Sequence, residues 1–173
     1  MVADAGILEE ICTDNAITDV DHPAFTAEFV GQLAWAIERD PKGCTPTAGA
    51  AALLVALHES NSHQVGIATG VWQSSAALKL SAAGLSDLEI PLVGSDLLTR
   101  REDIMRHCYR LLRGKGEPPI YVGDGVWDLE AAQALGWNFI AIGPRLKGKS
   151  RQWFADFTDP ALWHRLGLEA GKT

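Results

Sequence analysis

From Thr45 onward, short apolar runs alternate with stretches of helical periodicity, and that alternation constrains the fold more than any other feature of the chain. The runs at 64–69, 91–94, 119–123 and 138–143 are brief and continuously apolar, which suits buried parallel strands. Helical patterns fall between them. Residues 47–59 carry Leu53, Leu54 and Leu57 on one face, and a second helix runs through Leu78 and Leu80 to Gly84. Thr99-Arg100-Arg101-Glu102 has capping-box spacing and leads a helix whose inward stripe is Ile104, Cys108, Leu111 and Leu112. Residues 127–135 form the next helix, closed by Gly136, and Asp159-Pro160 caps a last one with Leu162 and Leu166 inward. Strands alternating with helices of this length predict a three-layer α/β domain, its parallel sheet covered on both faces.

Residues 1–40 read differently, as helices only. Asp4 is placed to cap a first helix with Ile7, Leu8 and Ile11 on its apolar face, and Asp21-His22-Pro23 opens a second. Phe25, Phe29, Leu33 and Ile37 recur every four residues, a stripe expected to pack between helices, with a homodimer face as the minority reading. Asp40-Pro41-Lys42-Gly43 then marks a hinge. The chain therefore divides into a helical segment, 1–40, and an α/β core, 41–173.

Composition narrows the class. No apolar run approaches the roughly 18 residues of a membrane helix, and the first twenty residues lack a signal peptide's basic start and apolar centre. A formal charge of −7, from 22 acidic and 15 basic residues, argues against a surface that tracks nucleic-acid phosphates. Cys12, Cys44 and Cys108 show neither CxxC nor histidine spacing, so reduced thiols in a cytoplasmic setting are expected. The five histidines are dispersed without metal spacing.

In open parallel sheets, ligands bind beyond the carboxyl ends of the strands. Thr69-Gly70 follows the 64–69 strand and offers a hydroxyl and an unhindered backbone N–H. Gly123-Asp124-Gly125-Val126-Trp127-Asp128 follows the 119–123 strand and carries two carboxylates four residues apart. Close carboxylates repel unless a hard cation such as Mg²⁺ sits between them. Arg100 and Arg101 begin the intervening helix, where a guanidinium and the positive helix end suit a phosphate group. Each element alone has a plain structural reading: a turn, a cap, a solvated first-turn arginine. Their conjunction, in order and at strand ends, favours the chemical one. No GxGxxG follows a strand and no GxxxxGK[ST] is present, so dinucleotide and P-loop chemistry have no basis here.

Hydroxyl, cation and paired acids in this order resemble the second, third and fourth motifs of the haloacid dehalogenase-like (HAD) hydrolase superfamily, over residues 45–143. The run from Ile120 to Ala132, followed by Gly136, is very similar to that family's GDGxxDxxAA element. Val65-Gly66-Ile67-Ala68-Thr69-Gly70 is similar to the second motif, and Arg101, or Arg100, stands where the family usually has lysine. The resemblance implies a phosphatase-type reaction on a small phosphorylated metabolite, through an aspartyl-phosphate intermediate. It implies that Thr69 and the Gly70 amide bind phosphoryl oxygens and that Arg101 or Arg100 neutralises them. Asp124 would ligate Mg²⁺, with Asp128 as a second ligand or its hydrogen-bonded support. Residues 1–40 resemble the remnant of a helical cap.

One part is missing. The family's first motif, an apolar strand ending in DxDGT, supplies the nucleophilic aspartate and the central strand of the sheet. The nearest DxD, Asp19-Val20-Asp21, follows no apolar strand and precedes His22-Pro23. No catalytic nucleophile is identified, and the chain by itself is expected to turn over poorly or not at all. The central strand would come from a longer protein, from another subunit, or be replaced by direct pairing of its neighbours. A catalytically silent phosphate-binding or assembly module of the same fold is the alternative function.

Overall fold

The computed structural model describes residues 3–86, 88–112 and 118–169. It is a mixed α/β fold whose five strands all pair in parallel, in two sheets: β1 (Ile67–Ala68) with β2 (Leu92–Val93), and β3 (Ile120–Gly123), β4 (Asn138–Ile142) and β5 (Trp153–Phe154) in that order. Among the described residues no ladder joins β1 to β3, so the neighbours of the expected central strand do not pair with each other. The chain forms two compact units, Met1–Thr45 with Gly66–Arg110, and Pro46–Val65 with Leu111–Thr173.

The first unit contains α1 (Asp4–Asp14), α2 (His22–Arg39), a 3₁₀ turn at Pro41–Cys44, β1, α4 (Gln73–Ala82), β2 and most of α5 (Arg101–Leu111). Asp21 caps α2 as the sequence predicts, its Oδ1 accepting the Ala24 N–H at 3.0 Å. Asp4 departs from expectation: Ala3 holds the cap position of α1, and Asp4 is its first helical residue. The Arg100 carbonyl accepts the N–H groups of Asp103 and Ile104, so α5 starts one residue later than Thr99 capping would require. Ile104 and Cys108 do bury, with Ala3 and Val93, against Ala68 and Leu98. Leu111 does not; it is half exposed. Burial raises the Cys108 thiol to about 11, which keeps it neutral and apolar in this core.

The second unit contains α3 (Ala50–Glu59), β3, α6 (Val126–Leu135), β4, a 3₁₀ turn at Pro144–Leu146, β5 and α7 (Pro160–Arg165). Its core joins Leu53 to Ile140, Ile142, Leu162, Trp163 and Leu166. The apolar spacing of α3 and α7 follows from this: each lays one stripe on the strand residues that point its way. Asp159 caps α7 as expected, accepting the Ala161 N–H at 2.8 Å. Gly49 precedes α3 with φ 78° and a backbone packed against that of Phe157, so no side chain fits there. The sequence shows no strand at 153–154; two residues are too few for a periodic signal. A hollow of about 400 Å³ lined by Leu57, His58, His63, Gln64, Val65, Leu111 and Leu112 also lies in this unit, and it holds none of the strand-end residues singled out above.

Candidate functional site

The candidate residues fall into one set in each unit. In the first unit, β1 ends at Ala68, and Thr69 continues the ladder through its N–H to the Val93 carbonyl at 2.9 Å. The chain then turns sharply: the Thr69 hydroxyl accepts the Val71 N–H at 3.4 Å, Gly70 is buried, and Trp72 stands at the cap of α4. Phe25 and Phe29 of α2 meet the Trp72 indole edge-on, at 5.9 and 5.2 Å between centroids, which fixes Trp72 as a packing residue.

Opposite the turn, the segment after β2 closes on the same helix start. The Ser95 N–H donates to the Val71 carbonyl at 2.9 Å, and Asp96 Oδ2 accepts the Gln73 N–H at 2.8 Å. Gly94 allows this approach, because a Cβ there would collide with the Gln73 backbone. The first turn of α1 completes the arrangement. The Asp4 N–H donates to the Gly70 carbonyl at 2.6 Å, Asp4 Oδ2 accepts the Trp72 N–H at 3.4 Å, and the Ala5 N–H reaches the fully buried Ser95 hydroxyl at 3.4 Å. Burial raises the Asp4 pKa. The Trp72 N–H and the charges of Lys79 and Arg101 pull the other way without overcoming it.

The two arginines separate here. Arg100 is largely exposed and pairs with Glu102 at 3.6 Å, whereas Arg101 is half-buried and its charge acts on Asp4. Gly70 and Arg101 are thus linked through Asp4, and Thr69 adjoins Gly70 in the turn, while Arg100 makes its ion pair with Glu102. The positive end of α4 and the Arg101 guanidinium favour negative charge at this corner, and the Asp4 and Asp96 carboxylates already meet it there.

In the second unit, β3 delivers Asp124 and Asp128 to very different surroundings. Asp128 is 4% exposed. Its Oδ2 accepts the Gly125 N–H at 3.0 Å, and its Oδ1 accepts the Tyr121 hydroxyl at 3.2 Å, so it fastens the first turn of α6 to β3. Gly123 is required beside it, since a Cβ would strike the Asp128 side chain. Asp124 faces solvent and pairs with Arg145 at 3.3 Å, and the Arg145 guanidinium also lies 5.9 Å from the Trp127 ring. Among the described residues no three His, Cys, Asp or Glu side chains gather as a metal centre. One or two carboxylates with water and substrate oxygens are the usual arrangement for Mg²⁺, and Asp124 has the hard, accessible oxygens this needs.

Asp19-Val20-Asp21 lies in the connection between α1 and α2, with Asp21 committed to its helix cap. Ser95 and Asp96 escaped the sequence reading; both follow β2, so the rule of reading beyond each strand end would have found them. Asp4 carried no such signal: it lies on a helix, and its role depends on a contact 68 residues away.

The family model described as Haloacid dehalogenase-like hydrolase matches residues 10–142, more than half of the chain. No curated protein matches the sequence.

Proposed function

The chain belongs to the haloacid dehalogenase-like hydrolases, and from that premise we propose that it is a Mg²⁺-dependent hydrolase of a small phosphorylated metabolite. The observation that carries this reading is the turn after β1, where the Asp4 carboxylate takes the Trp72 N–H within the field of Lys79 and Arg101, beside Gly70, whose carbonyl accepts the Asp4 N–H. The Thr69 hydroxyl and Gly70 amide bind phosphoryl oxygens, and Arg101 neutralises them, with Arg100 at the solvent side of the same helix start.

Asp124 holds Mg²⁺, and Asp128 acts as its support through the α6 turn rather than as an open ligand. When bound, the cation neutralises phosphoryl charge and orients the group. Residues 1–40 serve as a partial helical cap, and the three free cysteines fit a reducing, cytoplasmic setting. Among the described residues no helix is long and apolar enough to cross a membrane.

The position of Asp19 and Asp21 in a helix connection favours a second reading, a phosphate-binding module without turnover. Hydrolysis of an aryl phosphate in the presence of Mg²⁺ separates the two. Turnover that disappears in Asp124→Ala supports the hydrolase. Binding of inorganic phosphate without turnover supports the silent module, and neither binding nor turnover removes both.

A further inference from the structure

The corner at the start of α4 already contains an anion of the chain's own. Asp4 draws on groups that favour an anion at this turn: the Trp72 N–H, and the positive charges of Lys79 and of Arg101, the last of which belongs to the proposed phosphoryl-binding set. Its own N–H pins it to the Gly70 carbonyl at 2.6 Å, which holds the carboxylate at the turn. Asp96 takes the next amide, Gln73. The Ser75 hydroxyl, fully buried in the same first turn of α4, has no hydrogen-bond partner, so the polar capacity of this turn is not exhausted.

We propose that Asp4 is an internal competitor for the phosphoryl site: the first turn of α1 occupies the β1–α4 corner, and an anionic ligand enters by displacing the Asp4 carboxylate from the Trp72 amide. This rests on the reading of Thr69, Gly70 and Arg101 as the phosphoryl-binding groups. The fit of Asp4 is that of a displaceable occupant. Its bond to Trp72 is long, at 3.4 Å, and burial disfavours its charged form more than its partners favour it. A phosphate brings more acceptor oxygens to the same donors. Displacement also releases the Ala5 N–H from Ser95, so ligand binding and the seating of α1 are coupled.

The test is titration of the full chain with inorganic phosphate, comparing wild type with Asp4→Asn, each repeated with Thr69→Val. The amide resonances of Gly70 and Trp72 are followed, with circular dichroism to show that the helices persist. Relief of competition should tighten phosphate binding in Asp4→Asn by roughly 5- to 150-fold, the usual range of coupling between sites. In wild type, saturating phosphate should move the Trp72 amide signal as Asp4 leaves it, a readout that needs no variant. Unchanged or weaker binding in Asp4→Asn, with Thr69→Val still abolishing it, overturns the competition and leaves the phosphoryl site standing. Phosphate binding that ignores Thr69→Val, or that is absent in every variant, overturns both.

Discussion

Asp124 and Asp128 stand four residues apart in one turn yet live in opposite circumstances: the first is solvent-facing and paired with Arg145, the second is buried and fastened to Gly125 and Tyr121. Their substitutions should therefore separate stability from chemistry. Asp128→Ala leaves the Gly125 N–H without its acceptor and should cost about 1–3 kcal/mol in denaturant unfolding. Asp124→Ala should change stability by less than about 1 kcal/mol while removing Mg²⁺ binding, measured by isothermal titration.

Arg145 competes with any cation for Asp124. The pair is exposed on both sides, at 62% and 59%, so its loss should be nearly silent in thermal melts. Removing a unit positive charge this close to the carboxylate should nevertheless tighten Mg²⁺ binding in Arg145→Ala by roughly two- to fivefold, given about 1 kcal/mol for such a pair in water. Weaker binding would show Arg145 holding Asp124 in place instead.

The raised pKa of Asp4 makes stability depend on acid. Because the folded chain holds this proton more tightly than the unfolded chain, the favourable contribution is complete below the unfolded carboxylate value of about 3.9. It is lost as pH climbs through the folded value. Asp4→Asn has no proton to lose, so the stability difference between it and wild type should shift toward the variant as pH rises from 3 to 7. Urea unfolding at those two pH values measures this, and a constant difference would contradict the burial of the carboxylate.

Gly94 lets β2 meet the start of α4. In Gly94→Ala the added methyl meets the Gln73 backbone, which cannot rotate away as a side chain would. The expected cost is about 1–3 kcal/mol of overpacking, with weakened phosphate binding because the same segment positions α4. Gly84→Ala, where nothing lies near the added methyl, controls for glycine's chain entropy, although its φ of 70° carries a backbone penalty of its own.

Much of the order of elements was legible because apolar periodicity survives in short segments. The strand at 138–143 and the stripe of Ile104 and Cys108 sit where the pattern put them, and Asp21 and Asp159 cap the helices they announce. Strands came out shorter than their apolar runs: of 64–69 only Ile67 and Ala68 stand in register with β2, and the Thr69 N–H adds a last bond to the Val93 carbonyl. The candidate site was legible as a roster of residue types and less so as a set of relationships. Nothing in Gly-Asp-Gly-Val-Trp-Asp tells which acid turns inward. Tyr121, two residues inside the strand, provides part of the answer through its hydroxyl. Asp4 was hidden for the same reason, since its partners are distant in sequence.

The eighteen residues of α2 include none that is buried. Two phenyl edges against Trp72, one aspartate cap and a row of half-buried residues such as Val30, Leu33 and Ile37 tether it. A helix so lightly held opens on its own, without waiting for the hydrophobic interior to come apart. Placed in heavy water, its amides would take up deuterium early, while those of β4, beneath Ile140 and Ile142, would still carry protium.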